Sequence, residues 1–287
     1  MLTGLIRLAR PRDWVKNVFV VLPVPFALKA GAQFATAPFL LGLAGFCVVN
    51  SAVYTLNDLF DAEADRLHPT KRNRPIAAGK VSKGAAAVQT IVLLLAGLSL
   101  CSATAIPSVP AIVLAYVAIN MAYNLGAKSV ALLDVFLLSS GFVIRVLLGC
   151  ALVLASPSPW LLLCTSSLAL FLGFTKRRAD LTEELDLDHR PSLGGYSKGF
   201  LDQAVSISAG VAILAYALYC IEVKQVLQPG REMASLPFVA YGILNYLRMA
   251  YVEGAGGSPV DVAYHSLTTQ ICGVGWIVAV TWSLGPW

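Results

Sequence analysis

Four oxygen-bearing side chains stand near the end of a long apolar segment: Asn57, Asp58, Asp61 and Asp65. On an α-helix, which turns ~100° per residue, the three aspartates fall within about 60° of one another, and Asn57 widens the arc to about 100°. Glu63 points to the other side of the same helix. Carboxylates that converge at the edge of a membrane span repel one another, so we expect a cation between them.

Magnesium is the cation that best fits this pattern. Mg²⁺ prefers oxygen ligands, and proteins usually hold it with one or two carboxylates together with substrate phosphates. The same four side chains are therefore predicted metal ligands, and the three aspartates are predicted catalytic residues. The alternative is a solvated helix end whose carboxylates pair with Arg66, Lys71 or Arg72.

A basic stretch follows this acidic group within a few residues. Lys71, Arg72 and Arg74 can neutralise phosphate oxygens, and arginine does so through a bidentate fork. Pro69 and Pro75 flank these cations and restrict the backbone. We interpret the stretch as a phosphate-binding segment. The alternative is an ordinary basic loop at the cytoplasmic face of a membrane protein.

The elements that position these residues are predicted to be membrane-spanning helices. The chain has 287 residues, of which 57% are hydrophobic and 13% are charged, and its mean hydropathy is +0.72. This composition excludes a water-soluble globule and predicts an all-α polytopic membrane protein, with residues 1–287 as a single domain. Apolar runs predict about nine spans. These lie near 15–35, 37–57, 85–106, 109–124, 130–154, 159–176, 203–222, 235–250 and 266–286.

The lysines and arginines predict the orientation. Most of the 21 fall in the N-terminal segment and in the loops after the second and sixth spans. Because cytoplasmic loops retain basic residues, we expect the N-terminus and the acidic group at the cytoplasmic face of the inner membrane. The basic residues border spans, so anionic lipids and phosphate compounds are expected partners, and nucleic acid is not.

The acidic run carries a resemblance to a known family. Residues 57–65 match the NDxxDxxxD pattern of the UbiA superfamily of intramembrane prenyltransferases. Residues 68–76 and 10–17 resemble the branch of that superfamily that transfers phosphoribosyl groups to polyprenyl phosphates. The resemblance covers nearly the whole chain. It implies a UbiA-like helical bundle with cap loops on the cytoplasmic side.

A second acidic position follows from the same resemblance. UbiA relatives commonly place two aspartates four residues apart near the start of the fifth span, whereas this chain has Asp134 and Leu138. This departure is more similar to the phosphoribosyltransferase branch. The resemblance implies a catalytic role for Asp134. We interpret Arg145, inside the same predicted span, as a residue of the substrate cavity, with a structural pair to another helix as the alternative.

Further side chains are predicted to bind substrate. The loop after the sixth span resembles the corresponding family loop, and its cations could hold a phosphate, although a solvated charged loop is the alternative. The predicted substrate-binding residues are Lys16, Asn57, Lys71, Arg72, Arg74, Tyr123, Lys128, Arg145, Lys176, Arg177, Arg190 and Tyr196.

The resemblance implies a Mg²⁺-dependent transfer of 5-phosphoribosyl from phosphoribosyl pyrophosphate to a polyprenyl phosphate, with release of diphosphate. One alternative is the transfer of a polyprenyl group from its diphosphate to an aromatic acceptor, which would use the same first motif. A lipid transporter without enzymatic activity is the third hypothesis. The sequence leaves the oligomeric state open, and a homo-oligomer is among the alternatives.

Overall fold

The fold is helical throughout the part of the chain that the structure describes. The structure is a computed structural model, and it describes residues 2–67, 71–182, 191–254 and 257–286. Within these ranges there is no strand, which confirms the all-α prediction. The α-helices are α1 (Leu2–Ala9), α2 (Val18–Val21), α3 (Val24–Lys29), α4 (Thr36–Phe60), α5 (Ala62–Leu67), α6 (Lys83–Ser102), α7 (Ser108–Asn124), α8 (Leu133–Leu152), α9 (Pro159–Thr182), α10 (Lys198–Glu222), α11 (Leu236–Val252), α12 (Pro259–His265) and α13 (Leu267–Leu284).

Long apolar helices occupy most of the predicted spans. Within the described ranges, six helices are long and apolar enough to cross a membrane, namely α4, α6, α8, α9, α10 and α13. Helix α7 is a shorter apolar helix of 17 residues, and α11 has the same length. The count of nine spans stays a prediction.

The predicted first span, 15–35, is divided into short helical segments. A 3₁₀ helix, Pro11–Asn17, leads into α2 and α3. Helix α2 ends before Pro23, because proline has no N–H to donate to the helical hydrogen-bond ladder and its ring clashes with the preceding turn.

The first of two compact units consists of residues 1–23, 33–128 and 144–155. Helices α4 and α6 pack closely where Gly45 meets Gly97, since a Cβ atom on Gly97 would lie 2.8 Å from the Gly45 carbonyl oxygen. A small apolar core, including Leu8, Ile76 and Val81, packs α1 against the segment that follows the acidic motif. This packing brings the N-terminal residues to the acidic motif.

The second compact unit consists of residues 24–32, 129–143 and 156–287. One of its cores contains apolar side chains of α9, α10 and α11, together with Val135 of α8 and Val262 of α12. The N-terminal half of α8 thus belongs to this unit, and residues 144–152 belong to the first. The prediction of a single domain stays a prediction.

The contact between α4 and α6 predicts a stability effect. Gly97→Ala places a Cβ atom 2.6 Å from Val49 Cγ2 and crowds the Gly45 backbone. Overpacking of this kind costs about 1–3 kcal/mol, so we expect a lower midpoint of thermal unfolding in detergent. The matched control is Gly84→Ala on the same helix, where no atom lies within 4 Å of the added Cβ. Equal midpoints for the two variants would contradict the close packing.

Candidate active site

The acidic motif lies at the junction between α4 and α5. The Asp61 amide donates to the Asn57 carbonyl at 2.9 Å, and the Asp65 amide donates to the Asp61 carbonyl at 2.8 Å. The helical hydrogen-bond pattern therefore continues across the junction, which keeps Asp58, Asp61 and Asp65 on neighbouring turns. Asp58 and Asp65 expose only 2% and 4% of their surface.

Two arginines pair with the buried carboxylates. Arg74 Nη1 lies 3.0 Å from Asp58 Oδ1 and 2.6 Å from Asp65 Oδ2, so both carboxylates face one guanidinium nitrogen. Arg10 Nη2 lies 2.5 Å from the same oxygen of Asp58. The sequence predicted Arg74 as a substrate-binding residue and did not predict Arg10.

Asp61 has a separate set of partners. Lys128 forms an ion pair with Asp61 Oδ1, and the Asn57 amide donates to Asp61 Oδ2 at 3.1 Å. We name the six charged residues of these pairs the ionic cluster: Asp58, Asp61, Asp65, Arg10, Arg74 and Lys128. All six belong to the first compact unit.

The other predicted residues of this unit lie in different surroundings. Lys16 pairs with Asp13 at 2.7 Å and lies over the Tyr54 ring. Lys71 and Arg72 form part of a short 3₁₀ helix, and the Arg72 side chain is exposed. Tyr123 is half-buried in the last turn of α7.

Arg66, one of the cations named in the alternative interpretation, pairs outside the ionic cluster. Arg66 pairs with Glu63 at 2.8 Å, and Lys83 reaches the same carboxylate at 2.6 Å. These contacts lower the pKa of Glu63, the Lys83 hydrogen bond most of all and the Arg66 charge next. Glu63 is thus separated from the ionic cluster, as the helical spacing predicted.

Arg145 lies in a buried polar cluster within the first unit. Its guanidinium donates to Asn17 Oδ1 at 3.0 Å and to Asn50 Oδ1 at 2.6 Å, and it lies over the rings of Phe46 and Tyr116. Amide oxygens and aromatic faces can stabilise a cation in an apolar environment. The structure thus supplies Arg145 with protein partners, and its predicted place in the substrate cavity stays a prediction.

Asp134 lies in a second buried cluster, within the second unit. Its carboxylate accepts hydrogen bonds from Arg177 Nε at 2.6 Å, Ser192 Oγ at 3.0 Å and Tyr196 OH at 2.6 Å. Arg177 also contacts Asp180 at 3.2 Å. Burial raises the pKa of Tyr196, and its hydrogen bond to Asp134 raises it further.

This arrangement favours a structural role for Asp134 and Arg177. Asp134 is fully buried and Arg177 exposes 1% of its surface, so each neutralises the other away from water. Their predicted roles in catalysis and phosphate binding stay predictions. Lys176 is half-buried in the same turn of α9. Arg190 lies outside the described residues.

The ionic cluster offers the ligand chemistry that Mg²⁺ requires. Over the described ranges, no three His, Cys, Asp or Glu side chains are close enough together to hold a metal ion by themselves. Mg²⁺ does not need such a cage, because one or two carboxylates with substrate phosphates suffice. Asp58 and Asp65, which already share one cationic nitrogen of Arg74, provide two such carboxylates.

Comparison with known proteins identifies the family. The model of the UbiA prenyltransferase family matches residues 17–252. The decaprenyl-phosphate phosphoribosyltransferase of Corynebacterium glutamicum is 33% identical, and the match covers 96% of this chain and 85% of that protein. The enzyme of the same name from Mycobacterium tuberculosis is 32% identical over 98% of this chain and 94% of its own length. The chain therefore belongs to the UbiA prenyltransferase family.

Solved structures show the same fold. A UbiA homolog from Archaeoglobus fulgidus bound to GPP and Mg²⁺ has a TM-score of 0.72 and 18% sequence identity, and the match covers 97% of this chain and all of that one. Together with the six apolar helices, this similarity identifies an integral membrane protein with the UbiA fold.

The Asp134 cluster gives a prediction that separates structure from catalysis. Asp134→Asn removes the charge of one of the two carboxylates that pair with the buried Arg177, and breaking a buried pair costs about 3–5 kcal/mol. We expect a large drop in the midpoint of thermal unfolding, measured in detergent without substrate. The control is Arg248→Gln, which removes an exposed pair with Glu253 and should change stability by less than ~1 kcal/mol.

The opposite result would support the catalytic role. If Asp134→Asn unfolded at the wild-type temperature and had lost activity, Asp134 would act on substrate or metal and would not hold the fold.

Proposed function

We propose that this protein transfers the 5-phosphoribosyl group of phosphoribosyl pyrophosphate to a polyprenyl phosphate, with Mg²⁺, and releases diphosphate. The observation that carries the proposal is similarity over nearly the whole chain to relatives named for this activity. The ionic cluster supports it, since it combines Mg²⁺-type ligands with cations suited to phosphates.

The reaction exchanges one bond for another at C1 of the ribose. The bond from C1 to the diphosphate oxygen breaks, and a bond from C1 to an oxygen of the lipid phosphate forms. The attacking phosphate is already ionised at neutral pH, so the protein needs no strong general base. Its main task is to stabilise the negative charge that grows on the departing diphosphate.

The residues of the ionic cluster suit that task. Asp58 and Asp65 would hold Mg²⁺, with Asp61 and Asn57 next to them. The bound ion would neutralise charge on the leaving diphosphate. Arg10, Arg74 and Lys128 are the cations nearest to these carboxylates, so they are placed to contact phosphate oxygens.

The membrane location fits a lipid acceptor. A polyprenyl tail would lie in the bilayer, and its phosphate would meet a soluble donor at the membrane boundary. We propose that this boundary is the cytoplasmic face of the inner membrane. Most of the lysines and arginines lie in the N-terminal segment and in the loops after the second and sixth predicted spans, and cytoplasmic segments retain such residues.

Prenyl transfer to an aromatic acceptor is the second candidate. The family name and the GPP bound to the Archaeoglobus fulgidus homolog favour it. Both reactions release a diphosphate, so the first acidic motif serves either. The donor is the property that distinguishes them.

A transfer assay tests the first candidate. Purified protein in detergent is incubated with Mg²⁺, polyprenyl phosphate and phosphoribosyl pyrophosphate labelled in the ribose. We expect label in the lipid fraction. Label that stays in water, combined with transfer from a polyprenyl diphosphate to a hydroxybenzoate, would favour the second candidate.

Substitutions in the acidic motif test the site in the same assay. Asp58→Asn with Asp61→Asn removes two carboxylates of the ionic cluster, and we expect turnover to fall at least ~100-fold. The matched control is Glu63→Gln, which lies on the same helical segment and pairs with Arg66 and Lys83 outside the cluster. Wild-type turnover in the double variant would contradict the site.

A further inference from the structure

The charges of the ionic cluster balance without any ligand. Three carboxylates face three cations, and each carboxylate is in contact with at least one cation. Asp58 and Asp65 are buried, whereas the side chains of Arg10, Arg74 and Lys128 expose 26%, 24% and 29% of their surface. Pairing of this kind is strong where the carboxylates are shielded from water.

This balance opposes the binding of a divalent cation alone. Arg10 and Arg74 both contact Asp58 Oδ1, so a metal ion on that oxygen would lie beside two guanidinium groups. The addition of two positive charges to a neutral cluster is unfavourable in a poorly solvated site. An anion that arrives together with the metal would offset this added positive charge.

A diphosphate supplies the charge that is missing. Arginine and lysine side chains bind phosphate oxygens as readily as carboxylates, and arginine does so with two parallel hydrogen bonds. When the cations move to the diphosphate, the carboxylates become available to the metal. Each group then keeps an opposite charge as its partner.

The backbone at Arg10 supports a specific role for this residue. Arg10 has φ 47° and ψ 56°, which is the left-handed conformation that side chains other than glycine rarely adopt. Strained residues of this kind are often found at functional sites, where the surrounding structure holds them in place. The Arg10 guanidinium also lies 5.5 Å from the centre of the Tyr54 ring.

We infer that the metal and the diphosphate bind this site as a coupled pair, and that Arg10 and Arg74 enforce the coupling by occupying Asp58 and Asp65. Arg10 is thus a positioning residue that excludes the metal until a diphosphate takes over its charge. This inference rests on the proposed function, because it assigns the diphosphate to the same carboxylates.

Binding measurements without turnover test the coupling. Mn²⁺ serves as the probe for the metal. The concentration of free Mn²⁺ is measured from its electron paramagnetic resonance signal, with the protein in detergent. Retention of labelled inorganic pyrophosphate is measured with and without Mn²⁺. For the wild type we expect weak binding of Mn²⁺ alone, and pyrophosphate binding that Mn²⁺ strengthens by about 10-fold or more.

Removal of one guanidinium should uncouple the two ligands. We expect Arg10→Gln to bind Mn²⁺ alone about 10-fold more tightly than the wild type and to lose most of the Mn²⁺ effect on pyrophosphate. Arg74→Gln is the second variant and should shift both quantities in the same direction. Arg10→Lys keeps the charge and should bind Mn²⁺ alone as weakly as the wild type. The matched control is Arg66→Gln, whose pair with Glu63 lies outside the cluster.

Two negative results have different meanings. If the wild type bound Mn²⁺ with pyrophosphate while Arg10→Gln and Arg74→Gln left the affinity for Mn²⁺ alone unchanged or weaker, the coupling would be overturned and the metal site would stand. If the wild type bound neither Mn²⁺ nor pyrophosphate in any combination, and Asp58→Asn gave the same result, the proposed function would fail as well.

Discussion

The pairing of buried carboxylates with cations at the edge of the membrane is the interaction on which the rest of this structure depends. Asp58 and Asp65 are held out of water, so each needs a positive partner. Arg74 supplies it from the loop after α5, and Arg10 supplies it from the segment after α1. The packing of α1 against Ile76 and Val81 therefore serves the site, because it keeps both arginines near the motif.

A site of this kind suits a substrate that carries both a metal ion and phosphates. Carboxylates alone would bind a metal without regard to the substrate, and cations alone would bind many anions. Under the proposed function, the combination would favour the metal–diphosphate complex over either part. Such selectivity matters to a transferase, since a donor bound in this way has its leaving group already neutralised.

The sequence predicted the features that depend on local pattern. Apolar runs predicted the long helices, and the spacing of Asp58, Asp61 and Asp65 predicted that they share a face with Glu63 turned away. The pattern could not predict Arg10 as a partner of Asp58, because that contact joins residues 48 positions apart through a left-handed turn. From local charge, the sequence named Arg66, Lys71 or Arg72 as the alternative partners, because these residues follow the motif in the chain.

Burial was the second property that the sequence did not reveal. Asp134 and Arg177 are 43 positions apart, and each resembles an ordinary charged residue at the end of a span. Only tertiary packing, with Ser192 and Tyr196 from the following loop, makes them a closed buried cluster. The break at Pro23 was not predicted either, although proline is a known helix breaker. The apolar run around Pro23 suggested one continuous span from 15 to 35.

Location of the metal is the most direct test of the account. Crystals grown with Mn²⁺ and pyrophosphate would give an anomalous difference peak at the metal. We expect a peak in contact with Asp58 and Asp65, with the Arg10 and Arg74 guanidinium groups moved onto the pyrophosphate. A peak elsewhere, with Arg10 and Arg74 still paired to these two aspartates, would contradict it.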